Sequence, residues 1–281
     1  MAIIRRKEIL IVGANSIFAS KIIEQLENCH IVGLINNNDN RVDYNRFEKI
    51  YSNLDILIKD HKYFDLIFLI AAYIPYGKME LPDKRLLNSN IDLIAQIVKT
   101  YCESRIVYTS SVAVYGTPLN KVINIDSEFN NPNLYGLTKL AGETIIKMHK
   151  SYGIIRLSSL YGIGVTSDNF INRLIRQANE DKVIKIFGTG KRLQNYIHID
   201  DAVEILIKVA TLDENIVMLG VSKESHSNIE IANIVSEKTK SKIMHVGNDS
   251  SCDFIYEAEE CFKKISFYPK KDFKQSVIEL I

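Results

Sequence analysis

No stretch of this 281-residue chain approaches the ~20 consecutive apolar residues that a membrane-spanning helix needs, and the cations Arg5, Arg6 and Lys7 lead into no apolar core of a secretory signal. Neither a membrane span nor an export signal is expected, and the cytoplasm is the expected compartment. Charge of one sign is missing too. Lys plus Arg number 35 against 34 Asp plus Glu, a formal charge of +1 with both signs dispersed, so the basic footprint of a nucleic-acid or membrane-surface binder is absent. The 4 cysteines, Cys29, Cys102, Cys252 and Cys261, form no CxxC pair and no Cys/His ligand spacing, so no metal site, disulfide or thiol nucleophile is expected. Internal repeats, low-complexity tracts and long linkers are also lacking. What is present, 46% hydrophobic and 25% charged residues, is globular material with enough apolar content for a sizeable core, in one large or two unequal domains.

Short apolar runs alternate with longer amphipathic stretches. Ile9–Val12 precedes a helix-like 16–27; His30–Ile35, Leu54–His61 and Asp65–Ala71 follow; then come a helical 83–100, a strand at Arg105–Thr109, a helix from Tyr135 to about Tyr152, and a strand at Ile154–Leu157. This rhythm is that of βαβ units, and predicts an α/β fold with a doubly wound parallel sheet of Rossmann type over 1–160. Beyond it the pattern becomes mixed: a helix near 168–180, a strand Val183–Phe187, a Gly188-Thr189-Gly190 turn, a helix opening at Asp200-Asp201, a strand Ile216–Leu219, and a helical C-terminus. Ser227 followed by Glu230 predicts a capping box for a helix over 228–239. Residues 161–281 are therefore expected to form a smaller mixed lobe, with some elements exchanged between the two lobes.

The first strand runs into Gly13-Ala14-Asn15-Ser16-Ile17-Phe18-Ala19, where a dinucleotide fingerprint would carry three glycines. Only the first is glycine, and Ser16 and Ala19 stand at the other two places, both small. A strand before and a helix after keep the geometry of a pyrophosphate-binding turn, although a plain β-turn-α connection would read the same way. The second strand ends at Asn36, where an acid for the adenosine ribose is expected. A neutral amide can bond a ribose hydroxyl without repelling a 2′-phosphate, so NAD and NADP both stay open, and Arg41 would favour NADP if it folded back.

Tyr135 is the only tyrosine with a lysine, Lys139, four places on, and residues so spaced share a helix face. A tyrosine acting as a base near neutral pH must have its pKa of about 10 lowered by about three units, roughly 4 kcal/mol, and an adjacent cation supplies part of that. A solvated helix face produces the same spacing.

The order Arg105-Ile-Val-Tyr-Thr109-Ser110-Ser111-Val-Ala-Val-Tyr115-Gly116, then Tyr135-Gly-Leu-Thr-Lys139 and Glu143, then Ile155-Arg156, Leu160-Tyr161-Gly162 and the stretch Gly188–Asp201, resembles the extended short-chain dehydrogenase/reductase family of nucleotide-sugar epimerases, dehydratases and reductases. The resemblance runs from Ile9 to about Pro269. It implies Ser111, Tyr135 and Lys139 as catalytic residues. It implies cofactor contacts at Gly13, Asn15, Ser16, Ile17, Phe18, Asn36, Asn53, Leu54, Ile70, Ala71, Ala72, Asn90, Thr109, Tyr135 and Lys139, with NAD expected and NADP open.

Departures narrow the chemistry. Dehydrating members carry an Asp and a Glu after the position of Ser111, and here these are Val112 and Ala113, so epimerisation or ketone reduction fits better than elimination. Ser159 replaces the family's phosphate-touching Asn and Gln194 its diphosphate-binding Arg, with Arg192 as a substitute cation; these three are the substrate candidates. His198 reads as a packed connector, and Asp200 and Asp201 as an N-cap and first-turn acid. The expected function is a nucleotide-sugar 4-epimerase working through a keto-sugar, the alternative a nucleotide-4-keto-sugar reductase of surface-polysaccharide synthesis, and the non-enzymatic reading a dinucleotide-binding protein. Apolar residues on 83–100 (Leu86, Ile91, Ile94, Ile97) and 135–152 (Leu137, Leu140, Ile145, Met148) suggest a homodimer through those helices.

Overall fold

The structure, a computed structural model, describes residues 4–36, 44–75 and 83–281. Its main sheet has 7 strands in the order Ile216–Gly220, Tyr152–Leu157, Arg105–Ser111, Leu66–Leu69, Glu8–Val12, His30–Leu34 and Lys49–Tyr51. The chain starts in the middle at Glu8–Val12, builds outward through His30–Leu34 to Lys49–Tyr51, then returns to Leu66–Leu69 on the other side. The registered pairs from Lys49–Tyr51 through Arg105–Ser111 all run parallel. Leu66–Leu69 is buried at every position and Glu8–Val12 at all but the first, the continuous apolar signature of a strand covered on both faces.

The chain divides into two compact units. The first comprises Met1–Gly116, Pro132–Arg156 and Val203–Met218; the second comprises Thr117–Asn131, Leu157–Ala202 and Leu219–Ile281. Within the first, Leu10, Val32, Ile67, Tyr108 and Ile154 of the sheet pack with Ile94, Ile97 and Ile146 of the helices. Within the second, Leu193–His198 pairs antiparallel with Ser225–Ser227 and parallel with Ser159–Tyr161, and Val183–Phe187 pairs parallel with Lys242–Val246. Tyr161, Ile184, Tyr196, Ile231 and Phe273 form part of its own core.

Several boundaries differ from the sequence expectation for physical reasons. The helix expected over 16–27 is Ile17–Ile23, because Leu26–Glu27 extends to pair with Ile4–Arg5. The 83–100 helix carries a π-helical turn, Asn88–Asp92, between Lys84–Leu87 and Leu93–Thr100. The Tyr135 helix is Leu134–Ile146, and the chain is extended again by Tyr152 to enter the sheet. Asp200 lies inside the first turn of Ile199–Ala210 and does not cap it; its carboxylate pairs with Lys271 at 2.8 Å. Ser227 caps Asn228–Thr239 as expected, yet Glu230 turns to His226 Nδ1 at 2.8 Å, so the reciprocal half of the capping box is replaced by a side-chain pair. Leu86, Ile94 and Ile97 are fully buried within this chain, leaving Leu87, Leu137 and Met148 as the exposed large apolar residues of the two stretches. Among the described residues no helix is long and apolar enough to cross a membrane.

Candidate active site

A cleft of about 720 Å³ opens at the carboxyl ends of the central strands, where the strand order reverses on either side of Glu8–Val12. In doubly wound sheets this switch point is where ligands bind. Its walls include Gly13, Asn15 and Ser16 after the first strand, Asn36 after the second, Asn53 and Leu54 after the edge strand, and Ile70, Ala71 and Ala72 after Leu66–Leu69. Nine expected cofactor positions thus line one cleft. Gly13 adopts φ +99°, and a Cβ there would stand 2.8 Å from the Ala71 backbone nitrogen, so the turn requires glycine where the two loops touch. Ser16 makes the tight turn with its hydroxyl, donating to Gly13 O at 2.9 Å and accepting from Ala19 N–H at 3.1 Å as the helix N-cap. The second and third glycines of the usual fingerprint are thereby replaced by a capped turn. Asn53 caps Leu54–Asp60 in the same way, accepting from Ile56 N–H at 3.1 Å.

Phe18 is buried, and neither it nor Ile17 is among the cleft's lining residues. Asn37–Asn40 and Arg41 lie outside the described residues. Sequence reasoning missed Ser52, Asp55, Tyr73, Asp92 and Gln96, which also line the cleft. Helical spacing gives a signal for three of them: Asp55 lies in the first turn of the helix that Asn53 caps, and Asp92 and Gln96 are four apart.

Asn90 lies outside the cleft wall and clamps the surrounding elements. Its Oδ1 accepts from Tyr73 N–H at 2.9 Å, and its Nδ2 donates to Tyr73 O and to Thr138 Oγ1, both at 3.1 Å. Thr138 in turn donates to the Tyr135 carbonyl at 2.8 Å. The π-helical turn carries this fully buried amide into a helix interior, tying the loop after Leu66–Leu69 to the helix that bears Tyr135.

The three expected catalytic residues are organised by short-range contacts. Ser111 ends its strand and caps the 3-10 turn Val112–Tyr115, its Oγ accepting from Ala113 N–H at 3.2 Å. The hydroxyl proton is left to donate elsewhere. Asn133 caps Leu134–Ile146, and Gly136 brings that helix onto the turn so closely that a Cβ would collide with the Ala113 carbonyl. Tyr135 is half-buried beside this contact. Lys139 is buried one turn on, 1% exposed, with Nζ donating to the Thr109 carbonyl at 2.7 Å. Burial pushes its pKa down to about 7, against the opposing charge of Glu143.

A buried polar network stands behind this group. The Glu143 carboxylate accepts from Ser110 Oγ at 2.6 Å and from Arg156 Nε and Nη2 at 3.0 and 2.8 Å, and Arg156 Nη1 donates to Tyr115 Oη at 2.8 Å. Burial works against the Arg156 charge, but the bonds to Glu143 leave its pKa raised. Ser110 precedes Ser111 and Tyr115 closes the turn that Ser111 caps, so both ends of that turn are anchored to one carboxylate.

In the second unit, Ser159 is exposed on its short strand; Arg192 donates from Nε to Cys252 O at 3.1 Å, and Gln194 donates to Asn228 Oδ1 at 2.5 Å. His198 is buried, accepts from Asp200 N–H at 3.2 Å and meets the Tyr161 ring edge-on at 5.3 Å, which suits a packed connector.

Comparison with known proteins bears on the family and the fold. A UDP-glucose epimerase named YtcB and otherwise uncharacterised, from Bacillus subtilis (strain 168), is 31% identical over 123 residues, 41% of this chain and 39% of that protein. The UDP-glucuronate 4-epimerase of Thermodesulfobacterium geofontis is 26% identical over 151 residues, 50% of this chain and 46% of that protein. The matches therefore span less than half the length of either relative. Among solved structures, MoeE5 in complex with UDP-glucose and NAD superposes with a TM-score of 0.84 at 21% identity, covering 97% of both chains, a likeness of fold. The model of the NAD dependent epimerase/dehydratase family matches residues 9–220, three-quarters of the sequence and every catalytic candidate, and the chain belongs to that family.

Proposed function

We propose that the chain is an NAD-dependent nucleotide-sugar epimerase of the 4-epimerase type, interconverting two sugars by reversible hydride transfer at one ring carbon through a keto-sugar. The observation that carries this reading is the buried Lys139, 2.7 Å from the Thr109 carbonyl and one turn from Tyr135, on a helix seated against the turn that Ser111 caps.

The cleft's residues suit NAD: apolar Ile35, Leu54, Ile70 and Leu93 form walls for planar rings, and the amides of Asn15, Asn36 and Asn53 with the Ser52 hydroxyl offer hydrogen bonds to ribose and adenine. No Lys or Arg occurs among the described lining residues, and Arg41, the cation that would favour NADP, lies outside the described residues. When bound, NAD would supply the hydride acceptor and donor. Tyr135, as phenolate, would take the sugar hydroxyl's proton and later return it; Lys139 would lower the cost of that phenolate and bind the nicotinamide ribose. Ser111 would donate its free proton to the sugar oxygen as charge develops there. Val112 and Ala113 offer no acid or base for elimination. Ser159, Arg192 and Gln194 are assigned to the nucleotide end of the substrate. Leu87, Leu137 and Met148, 39%, 49% and 81% exposed, suit a homodimer face, for which light scattering gives the mass. A cytoplasmic role in surface-polysaccharide synthesis suits such an enzyme and its 4 free cysteines.

The same residues would serve a nucleotide-4-keto-sugar reductase, and cofactor retention separates the two. Protein purified without added dinucleotide is denatured and the released nucleotides are separated by chromatography. Release of NAD in near-stoichiometric amount supports the epimerase. An empty protein that consumes NADPH with a keto-sugar sinks it in favour of the reductase.

A further inference from the structure

Lys139 is a buried cation whose Nζ has two electron-rich contacts: the Thr109 carbonyl at 2.7 Å and the face of the Tyr108 ring, 4.5 Å from its centroid. The carbonyl orients one N–H. The ring lies on the strand beneath the helix and presents its negative π face to the ammonium, a contact that gains strength when water is excluded. Other charged or titratable groups bear on the same site. Tyr135 and Glu143 belong to the same helix; Arg156 and Tyr115 act through Glu143; and Lys147 Nζ lies 3.9 Å from Glu143 Oε2, the oxygen that also accepts from Arg156 Nη2.

Two features single out Tyr108. Its hydroxyl is buried with no hydrogen-bond partner among the described residues, so the phenol group itself is an expense to the fold, and what the side chain contributes is its ring. The helix also makes room for it: a Cβ at Gly142 would stand 2.6 Å from Tyr108 Oη, so the glycine, unfavourable in a helix interior, is a notch through which the phenol passes.

We infer that Tyr108 is a positioning residue for the reaction, its ring face forming the seat that keeps Lys139 protonated and aimed toward Tyr135, with Gly142 as the notch that admits it. This rests on reading Lys139 as the cation of the active site, but its direct test requires no sugar.

The test is an NMR titration of lysine side chains in the intact protein without substrate, with the Lys139 resonance assigned by its disappearance in Lys139→Met. Tyr108→Phe keeps the ring and should leave the Lys139 midpoint unchanged, with a melting temperature equal to or above that of the parent. Replacing Tyr108 by phenylalanines of increasing fluorination drains the π face at nearly constant shape, and should lower the midpoint stepwise by roughly one pH unit in all. Tyr108→Leu, which has no π face, should also titrate below Tyr108→Phe but not below the fully fluorinated variant, whose ring face is electropositive; if it fails to fold, the fluorinated series still decides. A flat midpoint across that series, or Leu titrating with Phe, overturns the inference. In the sugar assay the basic limb of kcat/KM should move down in pH with the Lys139 midpoint. A midpoint that moves in a protein turning over no sugar would leave the seat standing and remove the epimerase reading alone.

Discussion

Replacing Glu143 by methionine should be among the most destabilising single changes that leave the cleft's walls untouched. The carboxylate is fully buried and the Arg156 side chain it holds is 4% exposed, so removing Glu143 strands a guanidinium in the interior and deprives Ser110 of its 2.6 Å acceptor. Breaking one side of such a pair costs about 3–5 kcal/mol. At about 2–4 °C per kcal/mol for a protein of this size class, the melting temperature should fall by roughly 6–20 °C. The double variant Glu143→Met/Arg156→Met removes both charges, and should be more stable than the Glu143→Met single, because two apolar side chains of similar length replace the pair. It should still fall short of the parent, since Ser110 and Tyr115 each lose a partner. Urea unfolding of the four proteins in a double-mutant cycle measures this coupling. A single variant within about 1 kcal/mol of the parent, or a double variant at the additive sum, would refute the assignment of this pair as the brace behind Ser111 and Lys139.

Further outcomes follow from the same geometry. Gly136→Ala should sharply reduce turnover while the protein stays folded, because the new methyl group collides with the Ala113 carbonyl and lifts Tyr135 away from the turn of Ser111; circular dichroism and kcat measured together check it. Lys139 has a pKa depressed to about 7 from 10.5, so the unfolded chain binds more protons than the folded one between those values, and stability relative to Lys139→Met should rise as pH increases through that window. Urea midpoints of the two proteins from pH 7 to 10 test the sign; a constant difference would mean the lysine titrates normally. Ser16→Ala removes the N-cap of Ile17–Ile23 and the bond to Gly13 O together, and should cost about 1 kcal/mol in stability and weaken NAD binding in calorimetry.

The parts legible in the sequence are those whose physics is one-dimensional. Leu66–Leu69 and Ile9–Val12 are read as strands because a sheet covered on both faces demands unbroken apolar runs, and Tyr135 and Lys139 are read together because four residues make a helical turn. What escaped depends on partners distant in the chain. Lys49–Tyr51 is too short to show a period and becomes a strand only by lying along His30–Leu34. The π-helical turn at Asn88–Asp92 leaves no mark in the pattern, since its cause is the bonding of Asn90 to Tyr73 and Thr138. Arg156, noted only as a motif match, acquires its role from Glu143, 13 residues earlier and one element away. The cleft lining at Asp55, Asp92 and Gln96 required knowing which helix faces the switch point. In the loop after the first strand the loss of two glycines reads as degradation, yet Ser16 closes the turn by another route.

The central claim is that Tyr135, supported by Lys139 and Ser111, moves a proton while hydride leaves and returns at a sugar carbon. A proton NMR time course on a panel of UDP-, dTDP-, CDP- and GDP-sugars, run with the parent protein and with Tyr135→Phe, tests it most directly. The account predicts that one sugar is converted to its C4 epimer, that the same mixture is reached from either epimer without net consumption of nicotinamide cofactor, and that Tyr135→Phe is slower by orders of magnitude. No conversion of any sugar, or conversion untouched by Tyr135→Phe, would contradict it.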